Sequence, residues 1–255
     1  MQTIQKVGTA QLLFTRAQQM GLQPSWLTHQ GVFAVNTVLG EKYINYSSSS
    51  LNSRLDVSLA LNKYLTRLIL ARHDMPNIPF ANAATLAEAT EFLALHKKII
   101  VKPLKGSNSH DVRIVTDPAD LPGDSIHRYI LEKYIAGKEM RYLILNGEVI
   151  GVHQSEYGES VEETRDLQRI SYSSSEWDPA LAEQSVKVAG IFGLRFGCVD
   201  YLVDAQGQAH ILEINSAPGM KWFHAPTTGP PVDVARLFLQ AMLTDLDQQW
   251  SILKK

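Results

Sequence analysis

The residues richest in chemistry lie in GCVDYLVDAQGQAHILEINSAPGM, positions 197–220 of the 255-residue chain. HILEIN alternates like a strand, which puts Glu213 and Asn215 on one face. A loop of Ala205 to Gln208 pairs Asp204 with Ala209 and sets Asp200 opposite Glu213. Two ionised carboxylates about 4 Å apart repel by roughly 4 kcal/mol at an effective dielectric near ~20. The valines, leucines and isoleucines around them argue against full solvation, and a bound cation relieves the repulsion. Two carboxylates and an amide are hard oxygen donors of the kind that hold Mg²⁺ together with substrate phosphates. An acidic hairpin edge without a ligand is the other reading of this spacing.

Lys102 stands inside the apolar run Ile-Ile-Val-Lys-Pro-Leu, where a charge needs an anionic partner. The loop that follows, Gly106-Ser107-Asn108-Ser109, offers backbone N–H groups and hydroxyls suited to phosphate oxygens, and is equally an ordinary hairpin connection. It is no P-loop, because GxxxxGK[ST] is absent. Lys63, on the polar side of a long helix, reads as a phosphate contact or as a lysine facing water. In ILEKYIAGKEMRYLIL, residues 130–145, Glu139 and Arg141 share a face if the strand continues. That pair suits ribose hydroxyls and a phosphate, or forms a surface strand of alternating charge.

The elements that must position these groups are mixed. Helices are expected at 3–20, 56–72, 85–97, 178–193 and 231–246. Strands are expected at 32–36, 42–46, 98–104, 111–116, 128–135, 139–145, 148–153, 197–203 and 209–215. Asn146-Gly147 is a hairpin turn signal, and 155–168 reads as a polar loop. Helices and antiparallel hairpins without regular βαβ alternation make the class α+β. With 24 Lys+Arg against 26 Asp+Glu the net charge is −2, which points to neither nucleic acid nor an anionic membrane. The lone Cys198 excludes an internal disulfide and a Cys-pair zinc site. No apolar run reaches the ~18–20 residues of a membrane span, so a cytoplasmic protein is expected.

Taken together and in order, these pieces resemble the ATP-grasp superfamily over residues 53–245. Within it they look most like α-L-glutamate ligases, cyanophycin synthetase and bacterial glutathione synthetases. The resemblance implies an ATP-grasp fold: two α+β subdomains (53–136 and 137–255) with ATP between them, after a shortened N-terminal segment (1–52). It implies that Asp200, Glu213 and Asn215 hold Mg²⁺, or Mn²⁺ in its place. Lys63, Lys102 and Ser107 would contact phosphates, Glu132, Lys133 and Ile135 would edge the adenine, and Glu139 would bind the ribose. Arg141 would reach phosphate or substrate, and Gly219 N–H would face a tetrahedral oxyanion. The sequence departs from those relatives in three places. The phosphate loop has one glycine, His153-Gln154-Ser155 lacks an arginine common there, and the N-terminal part is short.

The implied reaction joins a small-molecule carboxylate to an amine through an acyl phosphate, at the cost of ATP. A small-molecule kinase and a non-catalytic nucleotide-binding subunit are the alternatives. A zinc hydrolase fits poorly, because the eight histidines include no HExxH. The apolar residues of the first 50 positions, among them Leu13, Phe14, Trp26 and Phe33, are many for so short a segment. They predict packing against the rest of the chain or a homodimer.

Overall fold

The computed structural model describes residues 8–29, 31–37, 40–48, 50–105, 111–155 and 168–253. The chain splits into two compact units. One comprises Met1–Val57, Glu139–Val199 and Asn215–Lys255; the other comprises Ser58–Lys138 and Asp200–Ile214.

In the first unit, α1 (Thr9–Gln19) buries Ala10, Leu13, Phe14 and Ala17, the i, i+3, i+4, i+7 face of an amphipathic helix. Gly21 stops it at φ 79°, where Leu22 N–H returns to Ala17 O. β1 (Ser25–Trp26), β2 (Val32–Thr37) and β3 (Gly40–Asn45) form an antiparallel sheet. α2 (Arg54–Leu61) then carries the chain into the second unit.

The larger sheet runs β10-β9-β8-β11-β12. β8 (Lys138–Leu145) and β9 (Glu148–Ser155) meet at Asn146-Gly147, whose φ values of 51° and 83° are those of a primed hairpin turn. β10 (Arg169–Tyr172) pairs antiparallel with β9. α5 (Pro179–Ile191) starts where Asp178 caps the N–H groups of Ala180 and Leu181, ahead of a proline in the first turn. β11 (Phe196–Val203) and β12 (Ala209–Asn215) complete the sheet, and their residues Asp200–Ile214 group with the second unit. α6 (Lys221–His224) and α7 (Val234–Leu253) follow.

The core of this unit joins Leu13, Phe14 and Phe33 to Leu143, Phe196, Phe223 and Phe238. Phe14 also stacks on Trp26 at 4.3 Å. Of the two outcomes expected for the N-terminal apolar residues, packing against their own chain therefore takes up these side chains.

The second unit sets α3 (Lys63–Arg72) and α4 (Leu86–His96) with an antiparallel sheet ordered β4-β7-β5-β6: Phe80–Ala81, Tyr129–Lys133, Ile99–Pro103 and Arg113–Val115. Thr85 caps α4. Ala89, Leu93, Ile99, Val101, Val115, Ile126 and Leu131 form its core. The helix expected at 56–72 is two helices. Asn62 leaves the helical region (φ −94°, ψ 103°), and its side chain accepts from Leu65 N–H. It also bridges to Lys105, while Lys63 N–H donates to Leu104 O at 3.0 Å. A capping asparagine held by a neighbouring strand end outweighs the leucine periodicity that runs through it. Helices beside antiparallel sheets make the class α+β, as expected.

Candidate active site

The second unit builds its site from buried charge. β5 and β7 pair with Ile100 opposite Glu132 and Lys102 opposite Ile130, so Lys102 and Glu132 lie on one face, one step apart diagonally. Both are buried. Lys102 Nζ meets Glu132 Oε2 at 2.7 Å, and Arg67 Nε meets Glu132 Oε1 at 2.8 Å. Burial alone would raise the Glu132 pKa; the charges and hydrogen bonds of Arg67 and Lys102 override it and hold the group at about 2. The anionic partner that the apolar strand demanded for Lys102 is thus Glu132.

The pinned break at Asn62 puts Lys63 at the start of α3, where the helix dipole is unfavourable to a cation. Burial and the charge of Lys102 lower its pKa, while Glu213 and Glu132 act the other way. Two lysines and two carboxylates therefore converge within this unit, with Glu132 already taken up on both oxygens. Lys63 is not a lysine that simply faces water.

Arg67 is the residue the sequence reading missed. It is 1% exposed and takes four partners at once. Besides Glu132 it donates to Asn77 Oδ1 at 3.1 Å, to Ile211 O, and to Leu212 O at 2.7 Å. Its position three residues before the buried Leu70, on the inward face of α3, was the available signal.

The hairpin closes differently from expectation. Asp204 N–H donates to Gln208 O, and Gly207 N–H, at φ 79°, returns to Asp204 O. The loop is therefore Ala205–Gly207, one residue shorter, because glycine takes the left-handed position that ends such a turn. A shorter loop alone would set Asp200 opposite Leu212. Arg67, however, grips the carbonyls of two successive residues, which point to opposite sides in a regular strand. The buried isoleucines of β12, Ile211 and Ile214, are also three apart rather than two or four. Both features depart from regular alternation in this edge strand. Asp200 is fully buried.

A cleft of about 630 Å³ in the same unit is lined by Lys133, Tyr134, Ile135, Asn77, Asp204 and His210, among others. Lys133 and Tyr134 N–H are held by Pro79 O and Lys98 O at 2.9 and 3.1 Å. Ile135 follows them in the lining of that cleft.

In the first unit, Glu139 and Arg141 do share a face of β8; Arg141 Nη2 lies 3.3 Å from Glu139 Oε1, and Glu139 is buried. Asn215 Oδ1 accepts from Ala217 N–H at 3.0 Å, which shapes the turn leading to Gly219. A Cβ on Gly219 would meet nothing nearer than Thr9 Oγ1 at 3.9 Å, so the space beside it is open. Ser107 and the polar loop around it lie outside the described residues, as does most of the stretch at 155–168.

A family model for the ATP-grasp domain matches residues 60–219. Over 198 residues the chain is 29% identical to a D-alanine–D-alanine ligase of Trichlorobacter lovleyi, covering 69% of this chain and 61% of that relative. It thus spans about three fifths of the length of the first curated relatives it matches. The fold is similar to that of a bifunctional glutathione synthetase from Pasteurella multocida: TM-score 0.68, 14% identity, 96% of this chain and 45% of that one. It is also similar to that of the macrocyclase MdnC of Microcystis aeruginosa, solved with its precursor peptide: TM-score 0.65, 12% identity, 91% of this chain and 95% of that one. The matched stretch begins three residues before Lys63, ends on Gly219 and exceeds half the chain: the protein belongs to the ATP-grasp family.

Proposed function

We propose that the protein is an ATP-dependent carboxylate–amine ligase acting on an amino acid or small peptide. The observation that carries this reading is the convergence of Lys63 and Lys102 beside Glu132 and Glu213, with Glu132 saturated by Arg67 and Lys102. Buried Lys102 and half-buried Lys63 repel one another, and nucleotide phosphates would bring negative charge to both.

In the first step a substrate carboxylate oxygen attacks the γ-phosphorus, and the bond to the β-phosphate bridging oxygen breaks. ADP leaves and an acyl phosphate remains. In the second, an amine attacks the acyl carbon, loses a proton, and inorganic phosphate departs. Lys63 and Lys102 neutralise charge on the phosphates, and Ser107 adds a contact from the loop. Lys133 and Ile135 edge the adenine with Glu132, and Glu139 binds the ribose. Arg141 and the Gly219 N–H act on phosphate or the tetrahedral oxyanion.

Asp200, Glu213 and Asn215 form a donor set fit for Mg²⁺, or Mn²⁺ in its place. Among the described residues no three or more His, Cys, Asp or Glu side chains gather into a metal site. An ion of this kind is typically held by one or two carboxylates plus substrate phosphates. When bound, it supplies charge neutralisation on the transferring phosphoryl group.

The reading includes ATP-grasp subdomains at 53–136 and 137–255 behind the segment 1–52, and a cytoplasmic setting without nucleic-acid or membrane partners. Among the described residues no helix is long and apolar enough to cross a membrane. A homodimer through the N-terminal segment would use the side chains it leaves exposed, Leu27, Tyr43 and Tyr46. Sedimentation at micromolar concentration tests that part, and a single active 28.4 kDa species removes it.

Phosphate release from ATP and Mg²⁺, measured over a panel of amino acids and short peptides with mass spectrometry of products, tests the whole. Release that needs both a carboxylate and an amine, with a product lighter than their sum by one water, is expected. Phosphoryl transfer to a hydroxyl without an amine would replace the reading with a kinase, and ATP binding without turnover on any pair would reduce it to a nucleotide-binding subunit.

A further inference from the structure

Three strands of the first unit bring a distinctive set of side chains to one face of their sheet. Arg141 stands opposite His153, and His153 opposite Ser171, so the three point the same way. Glu139 and Arg169, two residues along their strands, join them. α6 covers part of this face. The Phe223 ring lies 4.6 Å from the His153 imidazole, and Trp222 carries the Arg169 guanidinium at 5.5 Å and Lys221 Nζ at 4.2 Å.

His153 is 2% exposed and Ser171 is 3% exposed. Yet both ring nitrogens of His153, Ser171 Oγ and Arg169 Nη1 are buried with no hydrogen-bond partner. Each such atom costs stability, and native proteins keep few of them. Arg141, Arg169 and Lys221 stand here against Glu139, which pairs with Arg141. Burial, and then the charges of Arg141 and Arg169, hold the His153 pKa well below its ordinary value, so the ring is a neutral donor. One guanidinium arm with a hydroxyl and a ring N–H matches a single negative charge spread over two oxygens, rather than a phosphate dianion.

We propose that Arg169, Ser171 and His153 form a subsite that grips an amino-acid or peptide substrate by a carboxylate other than the one activated. The substrate class is then acidic: a dicarboxylic amino acid or a peptide carrying one. Placing the subsite in the reaction rests on the ligase reading; its existence as a binding site does not.

The test needs neither ATP nor turnover. L-Aspartate, L-glutamate and an alanyl-glutamate dipeptide are titrated into the full chain by calorimetry and thermal shift, each beside its side-chain amide counterpart and beside inorganic phosphate. At least one acidic probe is expected to bind and to raise the unfolding temperature, with its amide binding at least tenfold more weakly. Arg169→Gln and Ser171→Ala are expected to weaken that probe at least tenfold. Ligand-free Ser171→Ala and His153→Phe should unfold no earlier than the wild type, because each removes a buried polar atom without a partner. Failure of every acidic probe on the wild type, binding of phosphate alone, or equal probe affinity in wild type and variants overturns the subsite. If the ligase reading alone is wrong, carboxylate binding persists while phosphate release is absent.

Discussion

Replacing Glu132 by glutamine keeps the side chain's shape and removes its charge, leaving Arg67 and Lys102 as buried cations without a counter-ion. The carboxyl falls from an ordinary 4.5 to about 2 in the folded protein. Each pKa unit is worth about 1.4 kcal/mol, so the fold favours the charged form by on the order of 3 kcal/mol. Breaking a buried ion pair by removing one partner costs about 3–5 kcal/mol, which brackets that figure. Because the folded pKa is depressed, the stabilisation is fully present above pH 4.5 and is lost as pH falls through about 2. Urea unfolding of wild type and Glu132→Gln, followed by circular dichroism from pH 7 down to the lowest pH at which both fold, isolates this effect. The other carboxylates cancel in the difference. The variant should be less stable by about 3–5 kcal/mol at pH 7, and the two curves should converge toward low pH. A gap under about 0.5 kcal/mol, within the scatter of a neutral surface change, or one that does not narrow with acid, would refute the clamp.

Glu213→Gln should lower turnover roughly 100-fold while moving the thermal midpoint little, since the proposed metal-binding set loses one carboxylate and no apolar contact is lost; wild-type activity at ordinary Mg²⁺ would remove the metal assignment. Lys102→Ala should weaken ATP binding at least about tenfold, or ~1.4 kcal/mol, by calorimetry, and unchanged affinity would make Lys102 purely a structural partner of Glu132. Arg67→Lys keeps the charge but replaces a planar fork that reaches four acceptors with three donors on a single atom. It should raise the Mg²⁺ needed for half-maximal activity by about 10–100-fold, and an unchanged Mg²⁺ requirement would show that Arg67 does not position Glu213 through its hold on β12.

Local chemistry was enough for much of the secondary structure. Asn146-Gly147 turns the chain because both positions need a positive φ, and Asp178-Pro179 opens α5 because one side chain caps and the other lacks an N–H to satisfy. The charge of Lys102 in an apolar strand required an anion before any fold was known. Its identity required the tertiary structure, as did the role of Arg67, whose partners lie 65, 144 and 145 residues away. Periodicity runs through Asn62 unbroken, and only the docking of that residue against Lys105 ends one helix and starts the next. The hairpin offered both a turn and a metal-binding alternation. The shorter turn, and the guanidinium from another element that holds the carbonyls of Ile211 and Leu212, are recorded in no strand pattern. The N-terminal apolar residues read as surface in search of cover, and three-dimensional packing assigns them a core with Phe196, Phe223 and Phe238. Turns, caps and alternation are set by neighbours within a few residues and can be read along the chain; partners for buried charge are chosen by proximity in space, which only the folded chain creates.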